Sequence, residues 1–373
     1  MKRKNSPVFG RTYFVSVVGV LLFAFLTAFT GAAVDAAGHS ESEQYVTIAN
    51  LEQDPIKISL ADLQEFSAVN VTVTAVNASG RENTFDAEGV LFADVLTALG
   101  FDQAELQAIR LVAGDGYSIE VAQDILAIRD ILLAYSIDGE PLAADAQPLR
   151  AIIPEERAMY WVRNLVTIEV LHSTETPVVE GIRFLDTIAG LEELVPYEYH
   201  GSTDQALAFA TLIAEHPVRH DWERLTFTAS DDFVKHETKG NAMGAYLKLT
   251  GDQAPVFLGP DLPGGMHVKD ITFLAVGGDA FVSMAQVETV LGTTTIGETT
   301  GVAILDLFAY IGMADAAFYE FAAADGYAVQ VAAADLAGGL ILFVDGALRT
   351  YFHGLPRNTA VRDLYSVNLV EME

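Results

Sequence analysis

The stretch Gly89-Val90-Leu91-Phe92-Ala93-Asp94-Val95-Leu96-Thr97-Ala98-Leu99-Gly100 returns later in the chain as Gly301-Val302-Ala303-Ile304-Leu305-Asp306-Leu307-Phe308-Ala309-Tyr310-Ile311-Gly312. In both the two glycines are 11 positions apart, with apolar positions at helical spacing between them. Each is followed by the same tripeptide, Asp115-Gly116-Tyr117 and Asp325-Gly326-Tyr327, and each copy closes on a similar strand entry, Val162-Arg163-Asn164-Leu165 and Val361-Arg362-Asp363-Leu364. Upstream, Ile58-Ser59-Leu60-Ala61-Asp62-Leu63 corresponds to Val282-Ser283-Met284-Ala285-Gln286-Val287. A Ser followed three residues later by an acid or amide predicts a helix with a capping box. The fold is therefore one unit used more than once.

A weaker third copy lies between these two. Residues 206–213 read as its helix, 225–228 as a strand, Asp231-Asp232-Phe233 stands at the Asp-Gly-Tyr position, and Val268-Lys269-Asp270-Ile271 is its strand entry. The three entries begin at 162, 268 and 361, so each copy has the length of a small domain rather than of a solenoid repeat. The expected boundaries are 45–172, 180–276 and 277–373. Within the first copy, residues 108–112, 117–121, 131–137, 149–153 and 166–171 read as strands, and Asp138-Gly139 and Asp345-Gly346 as tight turns. The class expected is α+β: three tandem small mixed-sheet domains.

Composition limits the chemistry. The 373 residues carry 21 Lys+Arg against 51 Asp+Glu, a net charge of -30, and no Cys. So acidic a chain is not built to neutralise phosphates, and nucleic acid is excluded as a partner. Without Cys there are no disulfides, thiolate zinc sites, iron–sulfur clusters or thiol nucleophiles. At the N-terminus Lys2, Arg3, Lys4 and Arg11 precede an uncharged apolar stretch over residues 12–34, then small residues to Ala37. Residues 1–37 are expected to be a secretory signal peptide or a retained membrane anchor, placing the rest in the periplasm or outside the cell. Any membrane contact would run through this segment alone.

Taken together, several positions resemble the oxidoreductase molybdopterin-binding domain of the sulfite oxidase family. The resemblance rests on Ser59-Leu60-Ala61-Asp62-Leu63, the Gly89–Leu96 helix, Asp115-Gly116-Tyr117, Leu132-Leu133-Ala134-Tyr135 through Asp138-Gly139-Glu140-Pro141-Leu142, Pro148-Leu149-Arg150, Pro154 and Trp161-Val162-Arg163. It covers residues 50–171 well, 278–372 moderately and the middle copy faintly. It implies that fold and, in catalytic members, a Cys thiolate on molybdenum from just upstream of the Gly89 helix. Here Ala75 or Val76 falls about where that Cys would stand, and neither can bind a metal. The matching stretch of the last copy, Gly292-Thr293-Thr294-Thr295-Ile296-Gly297, has no Cys either.

The candidate ligand-binding residues are Arg81, Arg150, Arg163, Asp115 and Tyr117: a guanidinium fork suits phosphate or carboxylate, and Asp-Gly-Tyr can present a carboxylate and a phenol. The competing readings are a plain turn for the tripeptide and, for the arginines, ion pairs with the abundant acids. His216, His220 and His236 lack a ligand-spacing pattern, with Pro217 between the first two, so no metal site is expected. No catalytic residue is assigned. The expectation is an exported, non-redox binding or interaction module at the cell envelope, taking a small anionic ligand or an envelope protein and no cofactor. The alternatives are a molybdopterin-dependent oxidoreductase, or its accessory subunit, with atypical metal ligation, and a cation-dependent surface or adhesion protein.

Overall fold

The computed structural model describes residues 44–52, 54–76, 81–172, 178–199 and 201–370. The expected signal or anchor, residues 1–37, lies outside them. Residues 43–373 form one compact unit. Among the described residues no helix is long and apolar enough to cross a membrane.

The first part of this unit runs β1 (Tyr45–Ala49), β2 (Ile56–Ser59), α1 (Leu60–Leu63), β3 (Val69–Val76), β4 (Glu82–Leu91), α2 (Phe92–Ala98), β5 (Ala108–Ala113), β6 (Ser118–Ala122), α3 (Gln123–Leu126), β7 (Leu132–Ile137), β8 (Glu140–Pro141), β9 (Arg150–Ile152) and β10 (Leu165–Leu171). Two sheets result, one ordered β2-β1-β10-β5-β6 and one β3-β4-β7-β8 with β9 on β7. Between them α2 buries Phe92, Val95 and Leu96 in a core with Ile109, Leu111, Leu133 and Ile168. The helix is shorter than Gly89 to Gly100. Gly89 belongs to β4, where a Cβ would stand 2.3 Å from the Leu133 carbonyl oxygen. Gly301 is the same, with the Ile341 oxygen 2.6 Å from a Cβ. The repeated first glycine marks a close strand crossing before the helix.

The chain then continues through β11 (Gly181–Phe184), α4 (Leu185–Leu191), β12 (Val195–Tyr199), β13 (Ser202–Ala208), α5 (Phe209–Glu215), β14 (Arg224–Ala229), β15 (Val234–Thr238), α6 (Lys239–Met243), β16 (Tyr246–Lys248), β17 (Val256–Leu258) and β18 (Ile271–Val276). Here the helix expected at 206–213 starts late: residues 206–208 close β13, which pairs with β16, so local apolar spacing yields to sheet pairing. The last stretch is β19 (Asp279–Val282), α7 (Met284–Leu291), β20 (Thr294–Ile296), β21 (Thr299–Ala303), α8 (Ile304–Ile311), β22 (Phe318–Ala323), β23 (Ala328–Ala332), β24 (Gly339–Val344), β25 (Ala347–Phe352) and β26 (Leu364–Val370).

Residues 180–276 and 277–373 do not each have a main sheet of their own. They share an eight-stranded one, ordered β15-β14-β18-β19-β11-β26-β22-β23, with Gly277-Gly278 as the turn between β18 and β19 at the expected boundary. Exchanging β11 with β19, β14 with β22, β15 with β23 and β18 with β26 leaves this order unchanged. The central pair, β11 and β19, is parallel, Gly181 opposite Asp279 and Phe184 opposite Val282. Exchange about a parallel pair also swaps faces. Accordingly Leu225, Phe227, Leu274 and Phe281 pack on one side with Phe209 and Phe257, while Ile182, Phe184, Phe273, Phe321 and Val367 pack on the other with Leu307 and Phe352. All six residues of β18 are buried, as a strand covered on both faces requires. Sheets β12-β13-β16-β17 and β20-β21-β24-β25 complete these two cores.

One turn occurs three times with the same bonds. The Asp115, Asp231 and Asp325 carboxylates accept from the backbone N–H two residues on, at 2.9, 3.1 and 3.0 Å. The residue beside each turn, Gly114, Ser230 or Ala324, donates its N–H to the carbonyl of Asn164, Asp270 or Asp363. Those three acceptors all have left-handed backbone, φ 48, 51 and 52. The Asn/Asp of the Val-Arg/Lys-Asn/Asp-Leu/Ile entry is thus a backbone requirement, met by the side chains that tolerate that region best.

Candidate functional site

A cavity of about 560 Å³ opens in the first part, lined by Ala75 and Asn83 of β3 and β4, Arg81 just before β4, Asp115, Tyr117, Arg150 of β9, Trp161 and Arg163, among others. All five candidate residues meet there. Strand pairing brings them together: the β3–β4 hairpin carries Ala75 opposite Asn83, the turn after β5 carries Asp115 and Tyr117, and β9 pairs with β7 to present Arg150.

The Asp115-Gly116-Tyr117 segment is both a turn and a wall. Asp115 is engaged by the Tyr117 N–H, Gly116 has φ 87, and the Tyr117 hydroxyl donates to the Met159 carbonyl at 2.7 Å. Burial first, then the neighbouring Tyr160 and Asp115, push the Tyr117 phenol up to about 12, so it stays a neutral donor. Arg150 lies over the Phe85 ring, 5.0 Å from its centroid, and Phe85 meets Trp161 edge-on at 6.1 Å. Trp161 is fixed by its indole N–H to the Ile153 carbonyl at 2.7 Å.

The competing reading, ion pairs with the abundant acids, fails at this site for Arg150 and Arg163. Arg110, Arg129, Arg183, Arg219 and Arg224 do pair with carboxylates. Arg150 and Arg163 make no ion pair among the described residues. Among the described residues Asp115 is the one carboxylate in the cavity lining, and its Oδ1 accepts from the Tyr117 N–H. Arg150 Nε is buried with no hydrogen-bond partner. Burial, followed by the charge of Arg163, lowers the Arg150 guanidinium to about 10. A desolvated cation beside a second cation is a site short of negative charge.

Those features fit the phosphate-bearing part of a molybdopterin, and the volume is ordinary for a small-ligand site. They do not furnish a thiolate for its metal. Ala75 faces the cavity where the family's Cys is expected, whereas Val76 is exposed and absent from the lining; residues 77–80 lie outside the described residues. Sequence reasoning missed Asn83, Met159 and Pro263, whose types carry no signal of their own.

The three histidines go to separate partners. His216 bonds the Tyr365 hydroxyl and Glu192, His220 meets Glu180, and His236 meets Thr226. Among the described residues no group of three or more His, Asp or Glu side chains is placed to hold a metal ion.

Residues 35–178 match the family model of the oxidoreductase molybdopterin binding domain. The sulfane dehydrogenase SoxCD from Paracoccus pantotrophus is a structural match over 91% of this chain and 80% of its own, at 12% identity and a TM-score of 0.32. No curated protein matches the chain. The motifs from Ser59 to Arg163, most of the cavity lining and the family match coincide on one stretch, and residues 35–178 are similar to the oxidoreductase molybdopterin binding domain.

Proposed function

We propose that the protein is of oxidoreductase type and binds a molybdopterin in the cavity of its first part, with no protein thiolate on the metal. The observation that carries this is Arg150 Nε, buried and unpartnered beside Arg163 in the family-matched domain. Arg81, Arg150 and Arg163 would hold the phosphate, and the neutral Tyr117 and Trp161 would bound the pterin. The cofactor, when bound, supplies redox chemistry at its metal. The chain's own part is to neutralise the anion, to exclude water with Trp161 and Met159, and to offer at Ala75 a methyl in place of a ligand. The family match over residues 35–178 favours this reading over the non-redox envelope module, since both would take an anion at Arg150.

Export through residues 1–37 remains part of the proposal, resting on their charge and apolar pattern. So does a common origin for the three parts: the thrice-repeated Asp turn and the exchange-symmetric sheet support two further copies over residues 178–370, which trade their first strands β11 and β19.

Full-length protein purified from its own host tests the reading by pterin fluorescence and metal analysis. The expected result is near-stoichiometric pterin phosphate, lost in Arg150→Met. Pterin-free wild-type protein overturns it.

A further inference from the structure

The cavity of the first part has one wall from elsewhere in the chain. Pro263, from the connection between β17 and β18, is among its lining residues. Two residues on, a Cβ at Gly265 would stand 3.1 Å from Tyr117 Cε2. Gly264 between them points into open space, with nothing within 4 Å of a Cβ. The connection is Gly259-Pro260-Asp261-Leu262-Pro263-Gly264-Gly265-Met266-His267, held by a short 3-10 turn, Gly264–Met266, with the Met266 N–H donating to the Pro263 carbonyl at 2.8 Å.

Its anchor is a buried ion pair that nothing else in the site uses. Lys235 and Glu237 of β15 are 3% and 2% exposed. Lys235 Nζ donates to Glu237 at 2.6 Å and to the Met266 carbonyl at 3.0 Å. The second Glu237 oxygen accepts from the Thr238 N–H and from Asn241 Nδ2, both at 2.8 Å. Met266 itself is fully buried. A pair taken out of water this far adds little net stability, and such pairs are best attested as devices that fix position. What this one fixes is the turn that puts Pro263 in the cavity lining and Gly265 against the Tyr117 ring. A second junction holds the parts together nearby, where Glu120 of β6 takes Arg224 of β14 through both carboxylate oxygens.

We propose that Pro263, in the cavity lining, and Gly265, behind the Tyr117 ring, set the outer wall of the anion cavity and determine which aromatic phosphate esters it admits, so that the selectivity of the first part is built by the second. This rests on the reading above. The arginines attract any phosphate; the wall limits what may be attached to it. A side chain at 265 then displaces the Tyr117 ring by a few tenths of an ångström toward the cavity, against the hydroxyl bond to Met159 that holds it.

Titration calorimetry of a pterin monophosphate into cofactor-free full-length protein tests this, with melting temperatures recorded for every variant. Wild type and Gly264→Ala should bind alike, and Gly265→Val should bind at least about fivefold more weakly at an unchanged melting temperature. Pro263→Ala, which removes a wall contact without adding bulk, should also weaken binding and decides the matter if Gly265→Val fails to fold. Binding by Gly265→Val and Pro263→Ala within about twofold of wild type, while Arg150→Met abolishes it, overturns the wall and leaves the cofactor reading standing. No binding by wild type overturns both.

Discussion

Arg150 is held in the folded protein at a cost. Its guanidinium is half-buried, its Nε lacks a partner and Arg163 adds like charge, while the Phe85 face returns only about 0.5–1 kcal/mol. Binding sites commonly keep such strain because the ligand relieves it. In ligand-free protein Arg150→Met should therefore raise the melting temperature by about 2 °C. Added phosphate should raise it further in wild type and hardly at all in the variant. Calorimetric melts with and without phosphate check both parts; a destabilised Arg150→Met would show that packing on Phe85 outweighs the desolvated charge. At this scale the sequence was informative. Scarce arginines and an Asp-Gly-Tyr turn stand at positions of a recognisable family pattern, and all five candidates reach one cavity. That Arg150 and Arg163 would find no carboxylate partner among the described residues was not readable, because pairing depends on which acids the fold brings near, and in a chain with 51 of them counting points the wrong way. Pro263 and Gly265 were equally silent: their role comes from a neighbouring part of the chain.

The helix starts show what spacing can and cannot say about an element. Ser59 and Asp62 form the expected capping box, Ser59 Oγ accepting from the Asp62 N–H at 3.1 Å and Asp62 accepting from the Ser59 N–H at 2.9 Å. The same pattern at Ser283 and Gln286 does not close. There Asp186 of α4 reaches across and accepts from the Met284 N–H at 2.7 Å and the Ala285 N–H at 3.4 Å, leaving Ser283 without a capping bond and Gln286 free to donate to the Ala254 carbonyl. A tertiary cap has replaced a local one, and no window of sequence contains both partners. Ser59→Ala should cost about 1 kcal/mol. Ser283→Ala should cost under about 0.5 kcal/mol, while Asp186→Ala, which orphans two N–H groups at a packed helix start, should cost about 2 kcal/mol. Denaturant unfolding of the three variants orders them; a Ser283→Ala loss equal to that of Ser59→Ala would reject the tertiary cap. The strands were legible wherever alternation met a turn signal, as at 108–112 and 166–171. Residues 206–213 were not, because their helical spacing continues through the end of a strand.

At the scale of the molecule, the first and second parts meet across β6 and β15, where like and unlike charges crowd. Glu120, 8% exposed, takes Arg224, lies 4.0 Å from Arg110 and 3.9 Å from His236 Nε2. His236 is set by its bond to Thr226 at 2.9 Å, and burial, then Arg224 and Arg110, press its imidazole down to about 3. In the unfolded chain the same ring titrates near 6.5, its ordinary value. Between these two values the unfolded state binds the proton and the folded state does not, so acid favours unfolding. The stabilisation is complete above about pH 6.5 and is lost progressively as pH falls toward 3. Melting temperature measured from pH 7 down to pH 4 should therefore fall, and in His236→Gln it should fall less steeply over the same range, because the amide keeps a partner for Thr226 and takes no proton. The two variants of the joint separate the histidine from the carboxylate beside it: Glu120→Gln strands Arg224 and should lower stability at every pH, whereas His236→Gln changes the slope. Parallel pH profiles for wild type and His236→Gln would place the acid sensitivity in the carboxylates of this strongly negative chain instead.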